Sequence, residues 1–322
     1  MHTALTTLLR ITHPLLSAPM AGVAGAGLAR AVSRAGGLGF IGGGYGDREW
    51  LTAQLVGCEG QAFGVGFITW SLHQQPELLD LALAAGPRAV MLSFGDLSPF
   101  VERVRGAGAV LVAQVQTVRQ ARDAAAQGAQ LIVAQGGEAG GHGGQRGTLA
   151  LVPAVVDAVA PLPVVAAGGV ADGRGMAAAF MLGACGVLCG TAFYACHESL
   201  AHDHAKRRVV AASGDDTLKS TLFDRVRGLD WPEGPWSLRT LRNGYADCWA
   251  GDLAAVERDL ATHQQRVHDA RASGDFDVAP VIAGEAADLV QAARPAAEVV
   301  QTMVDGCAAL LAAAAQRTPN SH

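Results

Sequence analysis

The chain repeats one pattern eight times over its first two hundred residues: a short apolar run followed by an alanine-rich stretch with helical spacing. The apolar runs occupy 14–20, 36–44, 62–69, 89–95, 109–116, 130–137, 163–169 and 186–193. Runs that are apolar throughout are typical of strands buried on both faces of a parallel sheet. Eight such units favour closure into a (β/α)8 TIM barrel over an open doubly wound sheet.

One motif competes with this interpretation. Residues 37–42 match the pattern GxGxxG of dinucleotide-binding folds. The match lies inside a strand pattern, whereas the nucleotide motif belongs at a turn from strand to helix. We therefore attribute it to the abundance of glycine, which accounts for 41 of the 322 residues.

The pattern changes after the eighth unit. Residues 213–275 hold much of the charge and three of the five tryptophans, and helical spacing dominates there. We expect a barrel over 1–212, a small helical insertion or lid over 213–275, and a C-terminal helix returning to the barrel over 276–322. The insertion's Trp231, Trp236 and Trp249 are expected to pack in its own core, with a contribution to the pocket as the alternative.

Composition excludes several classes of protein. A net charge of −5 argues against nucleic acid or an anionic membrane surface as a partner. The six cysteines form no CxxC pair and no zinc spacing, which indicates reduced thiols and a cytoplasmic location. No secretion signal is recognisable, and no unbroken apolar run reaches the roughly 18 residues of a membrane span. The alanine-rich surface helices would permit a homodimer.

In a (β/α)8 barrel the active site lies at the carboxyl ends of the strands. The residues that end the apolar runs here are almost all uncharged, with no paired carboxylates, metal cluster or nucleophile–histidine–aspartate arrangement. A barrel mouth without catalytic charges indicates that a cofactor supplies the reactivity. Gly168 and Gly169 follow the seventh strand and Gly190 and Thr191 the eighth, where barrels often bind phosphate, so we predict a phosphate-bearing cofactor. The alternative is that these glycines only make tight turns.

Other strand ends offer surfaces for a flat ring. Ala18 and Met20 follow strand one, and the amides of Gln114 and Gln135 end strands five and six. A ring with donor and acceptor atoms would satisfy the two amides. Met20 as a core methionine and the amides bonded to loop backbone are the alternatives. We expect Glu138 to bind loop amides and to have no catalytic role.

The most unusual segment is QGGEAGGHGGQRG at 135–147, which sets His142 among seven glycines. Glycine removes the Cβ atoms that would keep a cofactor from the backbone. An imidazole titrates near neutrality and can accept a proton or donate a hydrogen bond to an anion. His142 is therefore the candidate catalytic residue.

Five motifs in this order resemble the nitronate monooxygenase family: APMAGVAG, SRAGGLGFIGGG, AQGGEAGGHGG, VVAAGGVADGRG and GVLCGTAF. The resemblance implies a TIM-type barrel with an added helical domain and non-covalently bound FMN. It assigns Ala18, Met20, Gln114, Gln135 and Gly141 to the flavin, with His142 as the active-site histidine. It assigns the phosphate to Gly168, Gly169, Gly190 and Thr191. The chain departs from many relatives at Gly66, where Asn is common, and at Ala192, where Arg is common.

The expected activity is oxidation of a small apolar alkyl nitronate by O2 to a carbonyl compound and nitrite. The first alternative is an NAD(P)H-dependent FMN reductase of quinones or enoyl thioesters. The second is a non-catalytic flavin- or metabolite-binding protein. The loops at the barrel mouth do not separate the first two.

Overall fold

The computed structural model describes residues 1–232 and 234–317. Eight strands form one parallel sheet: β1 (Leu15–Ser17), β2 (Phe40–Gly42), β3 (Gly64–Ile68), β4 (Ala89–Ser93), β5 (Val110–Val115), β6 (Leu131–Gln135), β8 (Val164–Ala167) and β9 (Gly186–Cys189). Three others, β7 (Gly141–Gly143), β10 (Thr217–Ser220) and β11 (Ser237–Leu241), form an antiparallel sheet. Each of the eight predicted apolar runs contains one strand of the parallel sheet.

The order of the parallel strands is β1-β9-β8-β6-β5-β4-β3-β2. Its two edge strands meet through a parallel bridge between Leu16 and Leu38. The Ser17 N–H donates to Leu38 O at 3.1 Å, and the Leu38 N–H donates to Leu15 O at 3.0 Å. These bonds close the sheet into the predicted (β/α)8 barrel.

Sixteen α-helices occur in the described residues, besides three short 3-10 helices at Ser98–Phe100, Gly214–Asp216 and Glu285–Leu289. They are α1 (Ala4–Leu9), α2 (Ala26–Arg34), α3 (Arg48–Gly57), α4 (Thr69–Leu72), α5 (Glu77–Ala84), α6 (Val101–Gly106), α7 (Val118–Gln127), α8 (Thr148–Val159), α9 (Gly173–Met181), α10 (Thr191–Tyr194), α11 (Asp203–Ala211), α12 (Leu222–Arg225), α13 (Gly244–Trp249), α14 (Leu253–Arg258), α15 (Leu260–Ser273) and α16 (Ala296–Arg317). Local sequence sets their ends. The side chain of Thr117 caps α7 in a capping box with Gln120, and Gly128 ends that helix at φ 103°.

Three hydrophobic clusters hold these layers. One fills the barrel interior, where Leu5 and Leu9 of α1 join strand residues such as Met91 and Val133. A second lies between the strands and the surrounding helices. A third joins the segment after the barrel to α10 and α11, with Phe223, Tyr245 and Val267 among its buried members.

The segment after the barrel is not purely helical. Besides α12 to α15 it contains the hairpin of β10 and β11, which the sequence analysis did not predict. β11 pairs with β7, and Leu238 lies opposite His142. The glycine-rich segment is therefore one strand of a second sheet and not a free loop.

The C-terminal helix α16 packs back on the barrel, against α9 and α2. Val300, Met303 and Cys307 recur at helical spacing and are buried. By length and composition alone, 296–316 would suffice to cross a membrane. The buried face gives a packing reason for that apolar composition.

Candidate active site

A cavity of about 190 Å³ lies at the carboxyl ends of the barrel strands. All ten residues predicted for the site line it: Ala18, Met20, Gln114, Gln135, Gly141, His142, Gly168, Gly169, Gly190 and Thr191. They come from the ends of five barrel strands and from β7. Parallel strands bring these separate sequence positions together because their carboxyl ends share one edge of the barrel.

One end of the cavity is built from backbone. Gly168 and Gly169 follow β8 with φ of 96° and 72°, values that L side chains rarely adopt. At Gly190 an added Cβ would meet nothing closer than Ala18 Cβ at 3.5 Å, and at Gly141 nothing closer than Ile282 Cγ2 at 3.8 Å. Side chains at these two positions would therefore occupy cavity space that glycine leaves to a ligand.

Thr191 adds a hydroxyl at the same end. Its Oγ1 accepts the N–H of Gly284 at 2.9 Å, which leaves the hydroxyl hydrogen for another acceptor. Thr191 is also the first residue of α10, where backbone N–H groups lack helical partners. This end of the cavity has the donors that a phosphate group requires.

The amides of strands five and six bond to each other. Gln135 Oε1 accepts from Gln114 Nε2 at 3.3 Å and from Gln116 Nε2 at 2.9 Å. Gln135 Nε2 donates to the backbone oxygen of His142 at 3.0 Å. For Gln135 the alternative prediction, an amide hydrogen-bonded to backbone, is therefore the one observed. Gln114 lines the cavity with no bond to its Oε1 among the described residues.

Glu138 binds loop donors, as expected. Its carboxylate accepts the Thr148 N–H at 2.8 and 2.9 Å and the Thr148 hydroxyl at 2.9 Å. Thr148 begins α8, so the carboxylate satisfies donors at a helix N-terminus. This bond ties the glycine-rich segment to the barrel.

The hairpin of the insertion holds the glycine-rich segment from its other side. Arg239 donates to Gly137 O from Nε at 3.2 Å and from Nη2 at 2.9 Å, and it pairs with Glu285 at 2.7 Å. Lys219 donates to Gly144 O. With the pairing of β7 and β11, these bonds fix the backbone that carries His142.

The imidazole of His142 has a buried partner that sequence reasoning missed. Its Nε2 lies 2.8 Å from Asp224 Oδ1, and both side chains are less than a tenth exposed. An ionised carboxylate only accepts hydrogen bonds, so Nε2 carries the proton and Nδ1 is the basic nitrogen. Burial lowers the pKa of His142 below its ordinary 6.5, although the hydrogen bond and charge of Asp224 act to raise it. The imidazole is accordingly neutral at pH 7.

Aromatic side chains cover this histidine. The Trp231 ring stacks on it, with centroids 3.4 Å apart and planes 15° apart. Trp231 Nε1 donates to the Tyr45 hydroxyl at 3.2 Å, and Phe94 meets the Trp231 ring edge-on at 5.1 Å. This aromatic wall excludes water from one side of the imidazole.

The expectation for the three tryptophans was wrong for Trp231 and Trp236. Trp231 lines the cavity, and Trp236 Nε1 donates to Gln116 Oε1 at 3.1 Å beside the barrel. Trp249 does pack in the insertion, against His263 with centroids 4.6 Å apart. Trp231 follows α12 and Trp236 directly precedes β11, so the ends of these two elements carry both rings to the barrel.

Close packing explains why position 66 is glycine. An added Cβ there would lie 2.4 Å from both Cβ and Cγ of Pro19, so the buried strand leaves no room for the Asn common in relatives. Ala192 is buried in α10. Within the described residues no group of three or more His, Cys, Asp or Glu is arranged to hold a metal ion.

The family model described as nitronate monooxygenase matches residues 2–60 and 68–306. A nitronate monooxygenase of Metarhizium robertsii is 37% identical over 92% of this chain and 91% of its own. An octahydro-indene-carboxyl-CoA dehydrogenase of Mycobacterium tuberculosis is 37% identical over 70% of this chain, which spans 64% of that protein's length. The structure of FabK from Thermotoga maritima superposes with a TM-score of 0.85 at 29% identity, covering 99% of this chain and 100% of that one.

Proposed function

The chain belongs to the nitronate monooxygenase family, and we propose that it is an FMN-dependent enzyme that oxidises alkyl nitronates with O2 to carbonyl compounds and nitrite. The observation that carries the proposal is the imidazole of His142, bonded to Asp224 at the wall of an apolar cavity beside a glycine-lined end. The relative from Metarhizium robertsii has this activity in its name.

The residues present fit FMN. Gly168, Gly169, Gly190 and Thr191 would bind the phosphate with backbone N–H groups and the hydroxyl that Thr191 has free to donate. Ala18, Met20 and Gly141 would pack against the flat ring, and Gln114 would bond its polar edge. Gln135 would act mainly by holding the backbone of His142 and the amide of Gln114. When bound, FMN supplies the electron transfer between nitronate and O2, which the side chains of the site cannot perform.

His142 would bind the nitro oxygens of the substrate. A nitronate is an anion, and its approach favours the imidazolium form, whose Nδ1–H can donate to a nitro oxygen. Asp224 would stabilise that imidazolium through the bond to Nε2. With a neutral nitroalkane, Nδ1 of the neutral imidazole would instead take the α-proton.

The aromatic wall would complete the site. Trp231, Phe94 and Tyr45 shield the imidazole from solvent, and electrostatic interactions strengthen where water is excluded. An apolar wall suits a small alkyl chain better than a polyanion.

Two measurements on the purified protein test the proposal. Mass spectrometry of the flavin released by heat should identify FMN. An oxygen electrode should record rapid O2 uptake with propyl nitronate, with nitrite formed and with negligible NADH or NADPH oxidation. A His142→Ala variant that binds FMN and turns over nitronate at the parental rate would remove His142 from the reaction.

A second candidate function is reduction of an enoyl thioester or a quinone with NAD(P)H. The name of the Mycobacterium tuberculosis relative, a dehydrogenase of a carboxyl-CoA compound, favours it. Rapid NAD(P)H oxidation with a quinone or enoyl thioester, together with no O2 uptake on nitronate, would establish this alternative in place of the first.

A further inference from the structure

A second cavity, of about 680 Å³, adjoins the candidate active site. It lies between α15, the segment after β1 and the segment after α12. Six side chains or backbone segments line both cavities: Ala21, Val23, Tyr45, Tyr194, Arg227 and Ile282. We call this second cavity the bay. A ligand in the bay would therefore lie one residue's thickness from the active site.

The bay is lined by two cationic side chains, Arg227 and Arg271. Two histidines, His202 and His268, add ring nitrogens that can take part in hydrogen bonds. No Asp or Glu lines it among residues 1–232 and 234–317. A concave surface lined by one sign of charge concentrates ligands of the other sign.

Arg227 stands at the boundary between the two cavities. Its Nη1 is buried and has no hydrogen-bond partner in the described structure, while its Cζ lies 5.8 Å from the centre of the Tyr45 ring. Burial lowers the pKa of Arg227, and the positive charge of Arg271 lowers it further. Asp224 is close enough to act in the other direction, but its Oδ1 is bonded to His142. The Arg227 side chain lines both cavities, so an anion in the bay would lie beside its buried positive charge.

Arg271 projects from α15 to the other side of the same cavity. Its Nη2 lies 3.2 Å from the position of a Cβ on Gly22, so the guanidinium sits against the segment that follows β1. Its side chain makes no hydrogen bond or ion pair with any described residue. Two guanidinium groups that repel each other, without a carboxylate between them, form a site for a group with more than one negative charge.

We propose that the bay binds the phosphates of a nucleotide whose reactive end enters the candidate active site past Arg227. Arginine binds phosphate through paired N–H groups, and a cavity of this volume holds a ligand of nucleotide size. Apolar side chains such as Leu229, Val267 and Phe276 also line the bay and would cover the base. A CoA thioester and NADPH both carry adenosine phosphates and share this chemistry. A thioester or nicotinamide as the reacting end rests on the second candidate function, whereas nucleotide binding in the bay rests on neither function.

Isothermal titration calorimetry of the whole protein with coenzyme A and, separately, with NADPH tests the proposal. We expect one of the two to bind, which identifies the source of the nucleotide. Arg271→Gln should raise its Kd at least about tenfold, equivalent to about 1.4 kcal/mol. Arg271→Lys should retain part of the affinity. Arg258→Gln, a matched loss of one exposed arginine from outside the bay, should change Kd less than about twofold.

A second measurement uses only the parental protein and therefore does not depend on whether a variant folds. Binding to the parental protein should weaken as salt is raised, because the contacts are ionic. Absence of binding by both nucleotides up to about 1 mM, or an equal Kd in the parental protein and Arg271→Gln, would overturn the proposal. Calorimetry requires no turnover, so nucleotide binding and nitronate oxidation are tested independently. O2 uptake with propyl nitronate in a protein that binds neither nucleotide would contradict nucleotide binding in the bay and would leave the proposed function unaffected.

Discussion

The Nε2 atom of His142 lies 2.8 Å from the Oδ1 atom of Asp224, although 82 residues separate the two in the chain. One comes from the glycine-rich segment of the barrel and the other from α12 of the insertion. The insertion thereby determines the tautomer and orientation of the imidazole at the barrel mouth.

Replacing Asp224 with Asn tests the charge of this pair. Asn retains an oxygen that accepts from Nε2, but it removes the charge that raises the pKa of His142. We expect kcat/KM for a neutral nitroalkane to fall about 10- to 100-fold, within the range of general-base effects. The acidic limb of its pH profile should move to lower pH. Asp215→Asn, in an exposed side chain, is the control, and an unchanged pH profile in Asp224→Asn would assign Asp224 a purely structural role.

Stability should depend on pH through His142. Because burial lowers its pKa in the folded protein, the unfolded chain binds more protons below about pH 6.5. The contribution of the neutral imidazole is fully present above that pH and is lost as pH falls through the folded pKa. The melting temperature should therefore decline from pH 7.5 towards pH 5.5 more steeply in the parental protein than in His142→Gln. Parallel curves for the two proteins would contradict the assignment.

Trp231→Ala should open the aromatic wall. An aromatic stack contributes about 0.5–1.5 kcal/mol, so we expect KM for propyl nitronate to rise about two- to tenfold. Trp231→Phe retains a ring over His142 and should recover most of the affinity. Trp249→Phe lies in the core of the insertion and serves as the control, since its change should leave KM as it is.

Gly66→Ala should destabilise the barrel. The new methyl group would lie 2.4 Å from two atoms of Pro19 inside a buried strand, and overpacking costs about 1–3 kcal/mol. We expect the melting temperature to fall by several degrees. At Gly106 an added Cβ meets nothing within 4 Å, so Gly106→Ala is the matched substitution that should leave stability unchanged or raise it.

Thr191→Val should weaken flavin binding. The substitution keeps the shape of the side chain, but it removes the hydroxyl that accepts from Gly284 and that would donate to phosphate. Loss of a hydrogen bond to a charged group costs about 1.5–3 kcal/mol, which raises the FMN Kd by at least about tenfold. Flavin fluorescence during titration of the apoprotein measures this, and Thr191→Ser should bind FMN nearly as tightly as the parental protein. Equal Kd values for Val and Thr would exclude the hydroxyl from the phosphate site.

The barrel was predictable because its signal is local. Each strand is one apolar run, and each helix begins and ends at residues such as Thr117 and Gly128 whose preferences act over a few positions. The hairpin of β10 and β11 was missed because its strands are short and because polar residues such as Lys219 and Arg239 interrupt their apolar pattern.

The sequence by itself determined the eightfold pattern and, through it, eight of the ten predicted residues around the cavity, since parallel strands in a barrel carry their carboxyl ends to one edge. Gly141 and His142 lie on β7, outside the barrel sheet, and were predicted from the glycine-rich segment and the family resemblance. Only the tertiary structure decided what surrounds His142. Asp224, Trp231 and Arg227 lie in a segment with no repeat that relates it to the barrel, and their approach depends on the pairing of β11 with β7 and on the packing of the insertion. Contacts of this kind form between residues far apart in the chain, where no local preference records which partner will be met.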